Sequence, residues 1–224
     1  LVYFAATYCG SVAVCVDVEQ SDETIFQMLD MVDISAMFYA SAFEYLCAAR
    51  NQDGVQNYLL SGRGSTKSLT ALLEEGKLLR EESHDPIEAE VTPDLVASIV
   101  FTSGTTSASK PVMLSHEAIL TNASDALANV AIGPIAFTSL PFFHTYGLTC
   151  SVLSMLIGKA HLYINGNLKT GMRDIQQAKP HTMLTVPLML ETINSKIWLS
   201  AEELGKAQKL KKLLKLKKFL FSIG

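Results

Sequence analysis

Short apolar runs alternate with longer amphipathic segments along this chain, and the pattern predicts strands and helices in turn. The run VAVCV, which begins at residue 12, is rich in β-branched residues, as strands are. Ser21 and Ser115 stand directly before segments with helical spacing, where a hydroxyl can cap the first turn. Strands separated by helical connections form parallel sheets covered by helices. The sequence therefore predicts an α/β fold of two stacked α/β subdomains with mostly parallel sheets flanked by helices.

Glycine and proline mark the places where predicted elements begin and end. Gly76 is expected to end the helix formed by STKSLTALLEE, because glycine accepts left-handed dihedral angles. Gly158 is expected to end a later helix, and Pro187 to begin another. The acidic segment 80–94 contains two prolines, which disfavour regular structure, and it is predicted to be a linker.

This linker divides the chain into two expected subdomains, residues 1–90 and residues 91–224, each of them partial. The first residue is leucine, and the opening apolar run has no basic segment before it. A signal peptide is therefore not predicted. Apolar runs are also too short for a membrane span, which needs ~20 residues. The start within an element suggests a fragment.

Composition favours a folded protein over a disordered segment. Of the 224 residues, 49% are hydrophobic and 18% are charged, which is enough apolar material to bury a core. The four cysteines are widely spaced and form no C-x-x-C pair, so neither a disulfide framework nor a zinc site is indicated. Free thiols fit a reducing compartment, and a cytoplasmic location is expected.

The net charge of −4 hides an uneven distribution of lysine. Seven of the 18 basic residues lie between Lys206 and Lys218, while the other 11 stand against 22 acidic residues. An acidic body argues against broad nucleic-acid binding, so no nucleic-acid partner is expected. Segment 206–220 also carries leucines at helical spacing. It is predicted to be either a helix with a solvated lysine face or a weak membrane-surface contact.

A hydroxyl-rich loop after the strand LVASIVF is the strongest candidate for chemistry. Hydroxyl and backbone N–H groups can donate to phosphate oxygens, a glycine permits close approach, and a lysine adds positive charge. The loop lacks the G-x-x-x-x-G-K spacing of a Walker P-loop, and Pro111 disfavours a helix directly after it. The residues predicted to bind ATP phosphates are Thr102, Ser103, Gly104, Thr105, Thr106, Ser107 and Lys110.

The stretch VASIVFTSGTTSASKPVMLSH resembles the signature of the superfamily that contains acyl-CoA synthetases, peptide-synthetase adenylation domains and luciferases. The likeness extends over nearly the whole chain and is greatest to the long-chain fatty-acid branch. Two positions depart from the signature, because Ser107 and Pro111 stand where the family has glycine. Both residues restrict the backbone more than glycine does.

A second stretch, LPFFHTYG, resembles the family segment that lines the acyl pocket. An imidazole can donate to the substrate carboxylate, and aromatic side chains can form apolar walls. The residues that the resemblance assigns to this pocket are Phe142, Phe143, His144, Tyr146 and Gly147.

The resemblance implies an AMP-forming acid–thiol ligase of fatty-acid metabolism that uses ATP, Mg²⁺ and coenzyme A. A carboxylic acid, here a fatty acid, would be converted to an acyl-adenylate and then transferred to the coenzyme A thiol. The family's catalytic lysine belongs to a small C-terminal domain that has no counterpart in the sequence, so no catalytic residue is predicted. We expect that residues 1–224 alone do not turn over.

Two other functions fit the same residues. One is a non-catalytic, degenerate relative that acts as a binding module, which Ser107 and Pro111 favour. The other is an adenylation domain that loads a carrier protein instead of coenzyme A.

Overall fold

A computed structural model describes residues 1–49, 54–62, 67–82, 89–103 and 109–223. The α-helices are α1 (Val2–Tyr8), α2 (Asp22–Asp30), α3 (Glu44–Ala49), α4 (Leu69–Glu82), α5 (His116–Asn129), α6 (Ser154–Ile157), α7 (Gly171–Ala178), α8 (Pro187–Glu203) and α9 (Ala207–Ile223). A π-helix at Tyr146–Leu153 runs directly into α6. Single 3₁₀ turns occupy Ser41–Phe43 and Leu168–Thr170. The strands are β1 (Ala13–Cys15), β2 (Ala36–Tyr39), β3 (Gln56–Leu59), β4 (Val96–Ser103), β5 (Ser109–Ser115), β6 (Ile135–Thr138), β7 (His161–Ile164) and β8 (Thr182–Met183).

The described strands form sheets with the orders β1-β4-β5, β2-β3 and β7-β6-β8. β1 pairs with β4, β2 with β3, and β6 with both of its neighbours, and all of these pairs are parallel. Only β4 and β5, among the described pairs, are antiparallel. The predicted α/β class with mostly parallel sheets is confirmed, and the exception is the hairpin that contains the candidate phosphate loop.

The chain divides into two compact units. The first contains Leu1–Ala123 and Phe142–Thr149, and the second contains Ser124–Pro141 and Cys150–Gly224. β1 and β4 share a sheet although the predicted linker lies between them in sequence. The boundary near residue 90 stays a prediction for the intact domain.

Each unit has an apolar core of its own. In the first, Ile25 and Leu29 of α2 pack against Leu46 of α3. In the second, Ala136 of β6 packs against Met155 and Ala160. Removing such side chains from water is the main stabilising contribution to a fold of this size.

Local signals explain most element ends. Ser21 caps α2, with its Oγ accepting from the Thr24 backbone N at 3.3 Å. Gly10 takes a φ of +72° between α1 and β1, a conformation that favours glycine. Pro187 is in the first turn of α8, and Gly158 follows α6, as predicted.

Two predicted boundaries are wrong. Gly76 lies inside α4, which continues to Glu82 and so includes the first residues of the predicted linker. The residues KLLREE after the glycine are good helix formers, and they carry the helix past a position that costs only about 1 kcal/mol relative to alanine. Residues 83–88, the middle of the linker, lie outside the described residues.

Candidate active site

The β4–β5 hairpin holds the two ends of the candidate phosphate loop together. Thr102 pairs with Lys110, and Ser103 with Ser109, in antiparallel register. Thr102 Oγ1 also lies 3.5 Å from the Lys110 carbonyl oxygen, which accepts its hydrogen bond. The predicted residues Gly104, Thr105, Thr106 and Ser107 lie outside the described residues. The hairpin therefore places Thr102 and Lys110 at the base of the five-residue connection.

Lys110 is exposed at this position, and so is Thr102. Among the residues that the structure describes, Lys110 forms no salt bridge. An exposed ammonium group beside a hydroxyl can bind an incoming anion without first breaking an ion pair. The two side chains are thus suited to phosphate oxygens.

Pro111 follows Lys110 within β5 and pairs with Phe101 of β4. β5 is at the edge of the sheet β1-β4-β5. Proline lacks an N–H, and sheets tolerate it at edge strands for this reason. The departure from the family's glycine at this position is therefore compatible with the strand geometry.

α5 begins directly after the hairpin and is anchored to it. Ser115 Oγ accepts from the Ala118 backbone N at 3.1 Å, which is the predicted cap. The His116 backbone N donates to the Leu95 carbonyl oxygen at 3.0 Å, and the Glu117 backbone N to that of Pro93 at 2.9 Å. These three bonds satisfy N–H groups that a helix start would otherwise leave unpaired. The backbone of His116 is therefore paired at the helix start, whereas its Nε2 atom is buried without a hydrogen-bond partner among the described residues.

The segment Phe142–Thr149, which holds the predicted acyl-pocket residues, packs within the first unit. His144 is exposed, and its carbonyl oxygen accepts from the Leu148 backbone N at 2.9 Å. The rings of Phe143 and His144 have centroids 4.6 Å apart. Phe142 and Tyr146 are 37% and 43% exposed, so their apolar faces are open to a ligand.

The π-helix starts at Tyr146, immediately after this turn. Wide turns of this kind are rare in proteins and recur at functional sites. Gly147 is buried in its first turn. The predicted acyl-pocket residues therefore lie at the beginning of an unusual helix, with their imidazole and two aromatic rings accessible.

A hydrogen bond that the sequence did not predict ties this segment to α5. Thr149 Oγ1 lies 2.8 Å from Asn122 Oδ1 and 2.7 Å from the Thr145 carbonyl oxygen. Thr149 is buried and sits in the π-helix, while Asn122 is in α5. Both candidate segments are thus held against the same helix. Nothing in the spacing of these two residues, 27 positions apart, would have identified the pair from sequence.

The cysteines and the acidic side chains are further candidates, for thiolate or metal chemistry. Burial raises the pKa of the Cys15 thiol, and burial together with Glu44 raises that of Cys47, so neither is activated as a thiolate. All four cysteines are free. The part of the chain described here has no group of three or more His, Cys, Asp or Glu side chains placed to hold a metal ion.

Comparisons with known proteins identify the family and the fold of the chain. The model of the AMP-binding enzyme family matches residues 1–224. A probable chloroplastic acyl-activating enzyme 16 from Arabidopsis thaliana is 33% identical over 125 residues, which are 54% of this chain and 17% of that protein. A structure of a putative long-chain-fatty-acid CoA ligase from Rhodopseudomonas palustris superposes with a TM-score of 0.69 at 20% identity, covering 86% of this chain and 48% of the other.

ATP-bound MatB from the same bacterium superposes with a TM-score of 0.64 at 22% identity, over 84% of this chain and 36% of the other. The structural likeness shows that the fold is shared, and the family model shows that the chain belongs to the AMP-binding enzyme family. The resemblance found in the signature is confirmed at the level of this family. The chain spans less than half of the length of these relatives.

Proposed function

We propose that the protein to which this chain belongs activates a carboxylic acid with ATP, forms an acyl-adenylate, and transfers the acyl group to coenzyme A. The observation that carries the proposal is the exposed pair Thr102 and Lys110 at the base of the signature loop, in a chain that the family model matches throughout. A fatty acid is the proposed substrate class.

The β4–β5 hairpin would bind the pyrophosphate that leaves in the first step. In the first step a carboxylate oxygen forms a bond to the α-phosphorus, and the bond from that phosphorus to the pyrophosphate oxygen breaks. Negative charge accumulates on pyrophosphate as this bond breaks. The Lys110 ammonium and the Thr102 hydroxyl can stabilise that charge, and a fixed hairpin does so without reorganisation during the reaction.

The segment Phe142–Thr149 would bind the acid. His144 can donate a hydrogen bond to the carboxylate, while Phe142 and Tyr146 offer exposed aromatic surface to its carbon chain. A saturated chain gains about 0.8 kcal/mol for each CH₂ group removed from water. Exposed aromatic walls beside a single imidazole therefore support an apolar acid over a small polar one.

Coenzyme A would act in the second step. Its thiol sulfur attacks the acyl carbonyl carbon, a thioester forms, and AMP departs with the electron pair of the broken bond. Mg²⁺ is expected to accompany ATP, but the described residues include no carboxylate cluster that fits a metal ion. No step is therefore assigned to a metal held by this chain.

Replacement of Lys110 in the full-length protein tests the proposal. Lys110→Gln keeps most of the side-chain length and removes the charge. Loss of one transition-state contact of this type lowers kcat/KM for ATP by about 10²- to 10³-fold. The measurement is ATP–pyrophosphate exchange with fatty acids of increasing length, and Lys179→Gln, an exposed lysine far along the sequence, is the control. Equal exchange rates in both variants would contradict the assigned role.

A degenerate, non-catalytic relative is the second candidate, because Ser107 and Pro111 replace signature glycines. Calorimetry of the full-length protein with Mg·ATP separates the two. If the unchanged protein does not bind Mg·ATP and the double variant Ser107→Gly with Pro111→Gly does, the result would support a degenerate relative. If the unchanged protein binds Mg·ATP, the result would support the enzyme. Assays with coenzyme A and with a phosphopantetheinyl carrier protein then identify the acceptor.

A further inference from the structure

α8 and α9 form a helical hairpin with a tightly defined turn. Gly205 takes a φ of +64°, and its backbone N donates to the Glu202 carbonyl oxygen at 2.9 Å. The Lys206 backbone N donates to the Ala201 carbonyl oxygen at 2.7 Å. This pair of bonds is the Schellman motif, which ends a helix and fixes the direction of the following chain. The position of α9 beside α8 is therefore built into the turn.

An apolar groove of about 640 Å³ lies along this hairpin. Side chains of α8 and α9 supply most of its lining, and Met172 of α7 closes one part of it. The apolar residues include Ile197, Leu204, Leu210 and Leu213. Such a surface leaves apolar area exposed to solvent, which a binding partner can cover.

Lysine side chains surround this apolar surface. Lys196, Lys206 and Lys209 line the groove, and all three are exposed. From residue 204 to residue 224 the sequence has no acidic residue. No acidic residue within α9 offsets its lysines in sequence, and the complement of such a basic helix is an anionic surface.

Leucines project among the lysines instead of being restricted to the groove. Leu213, Leu214 and Leu216 are 53%, 44% and 53% exposed. Lys209 and Lys212 precede Leu216 by seven and four residues, so they share its face of the helix. A basic helix with leucines on its accessible surface has the two components that interfacial binding requires.

We propose that the α8–α9 hairpin, residues 187–223, binds the surface of an anionic lipid bilayer. The lysines contact lipid headgroups, and the exposed leucines enter the boundary between headgroups and acyl chains. Nucleic acid fits less well, because phosphate contacts make no use of leucines and the protein has a net charge of −4. Within the described residues, no helix combines the length and apolarity needed to cross a bilayer, so the contact is at the surface.

Co-sedimentation of the full-length protein with vesicles tests this inference. Vesicles of phosphatidylcholine mixed with phosphatidylglycerol should bind the protein, and pure phosphatidylcholine vesicles should not. Lys209→Gln with Lys212→Gln should lower the partition coefficient about 25-fold, since each of the two lysines near an anionic surface contributes about a fivefold factor. Lys169→Gln with Lys179→Gln removes the same charge elsewhere and should leave binding unchanged.

A second variant tests the apolar component. Leu216→Gln keeps every lysine, and it should weaken binding while the dependence on salt concentration persists. Circular dichroism confirms that each variant remains folded. Equal binding by the two lysine variants, binding to phosphatidylcholine alone, or binding to an oligonucleotide but not to vesicles would overturn the proposal.

Discussion

The two three-stranded sheets use buried hydroxyl groups in different ways. Each central strand carries one with no exposed area, Ser98 in β4 and Thr138 in β6. Ser98 Oγ donates to the Ala13 carbonyl oxygen of β1 at 2.8 Å, so it connects neighbouring strands. Thr138 Oγ1 accepts from the Leu140 backbone N at 3.2 Å and contacts Ser151 Oγ, so it connects the strand end to the π-helix.

The difference follows from how each sheet continues. β4 returns as the adjacent strand β5 through a five-residue connection, whereas β6 is followed by helical connections to β7 and β8. In the first sheet the chain end of β4 is fixed by antiparallel pairing, and the buried hydroxyl supports pairing with β1. In the second sheet the end of β6 has no hairpin to fix it, and Thr138 holds the departing chain. Variants test whether the two hydroxyl groups contribute different amounts to the free energy of unfolding.

The largest effect is expected at Gly133, just before β6. A Cβ added there would lie 2.3 Å from the Cβ of His181, which precedes β8. The Gly133 backbone N also donates to Thr182 Oγ1 at 2.9 Å, so the backbone cannot retreat without losing this bond. Gly133→Ala should lower the free energy of unfolding by about 3 kcal/mol, measured by urea denaturation. Gly166→Ala, where nothing lies within 4 Å of the added Cβ, is the matched control.

Thr138→Val should have the next largest effect. The change keeps the shape but leaves the Leu140 backbone N and Ser151 Oγ without this partner in a buried site. The expected loss is about 2 kcal/mol in the free energy of unfolding. Thr192→Val removes an exposed hydroxyl bond to the Leu188 carbonyl oxygen and should change little. Similar losses in both variants would argue that Thr138 does not hold the end of β6.

Ser98→Ala should cost less than Thr138→Val. The bond to the Ala13 carbonyl oxygen is lost, but this oxygen retains a second lone pair. We expect about 1 kcal/mol by thermal or urea denaturation. A loss larger than that of Thr138→Val would reverse the comparison between the sheets.

The smallest effect concerns Asp174 of α7, next to β7. Hydrogen bonds from Thr170 and from Arg173, with a third from Asn165, lower the pKa of this carboxyl below its ordinary value. Because the folded-state pKa is lowered, the stabilisation is present above the unfolded-state value and is lost as pH falls through the folded value. An NMR titration should give a midpoint below 3.8, and Thr170→Val should raise it. An unchanged midpoint would contradict the assigned cause.

The sequence predicted the features that depend on residues close together along the chain. The caps at Ser21 and Ser115 and the proline at the start of α8 involve groups within three positions, and the structure confirms them. Gly76 misled because a local stop signal competes with the helix formers after it. The backbone φ angle of Gly76 is not positive, so this glycine does not adopt the left-handed conformation expected at a helix end.

Pairings between distant residues could not be predicted in the same way. The bond from Ser98 to Ala13 spans 85 positions, and that from Thr149 to Asn122 spans 27. Such contacts depend on the path of the chain through both sheets. At the site, the sequence predicted a loop from Thr102 to Pro111, whereas Thr102 and Lys110 lie in the paired strands β4 and β5 because the hairpin pairing extends further than the hydroxyl-rich composition suggests. The phosphate-binding roles of these residues and the acyl-binding role of His144 stay predictions.

Pro111 has a consequence beyond the site that contains it. An edge strand with free backbone groups is a template on which another chain can add a strand and begin to aggregate. The ring at position 111 removes one donor from β5, and the charge of Lys110 beside it disfavours a dry contact between chains. Pro111→Gly would restore the backbone freedom of the signature glycine. The same change would make the edge of the sheet more prone to pairing with a strand of another chain. Pro111 therefore disfavours the addition of another strand at the edge that β5 forms.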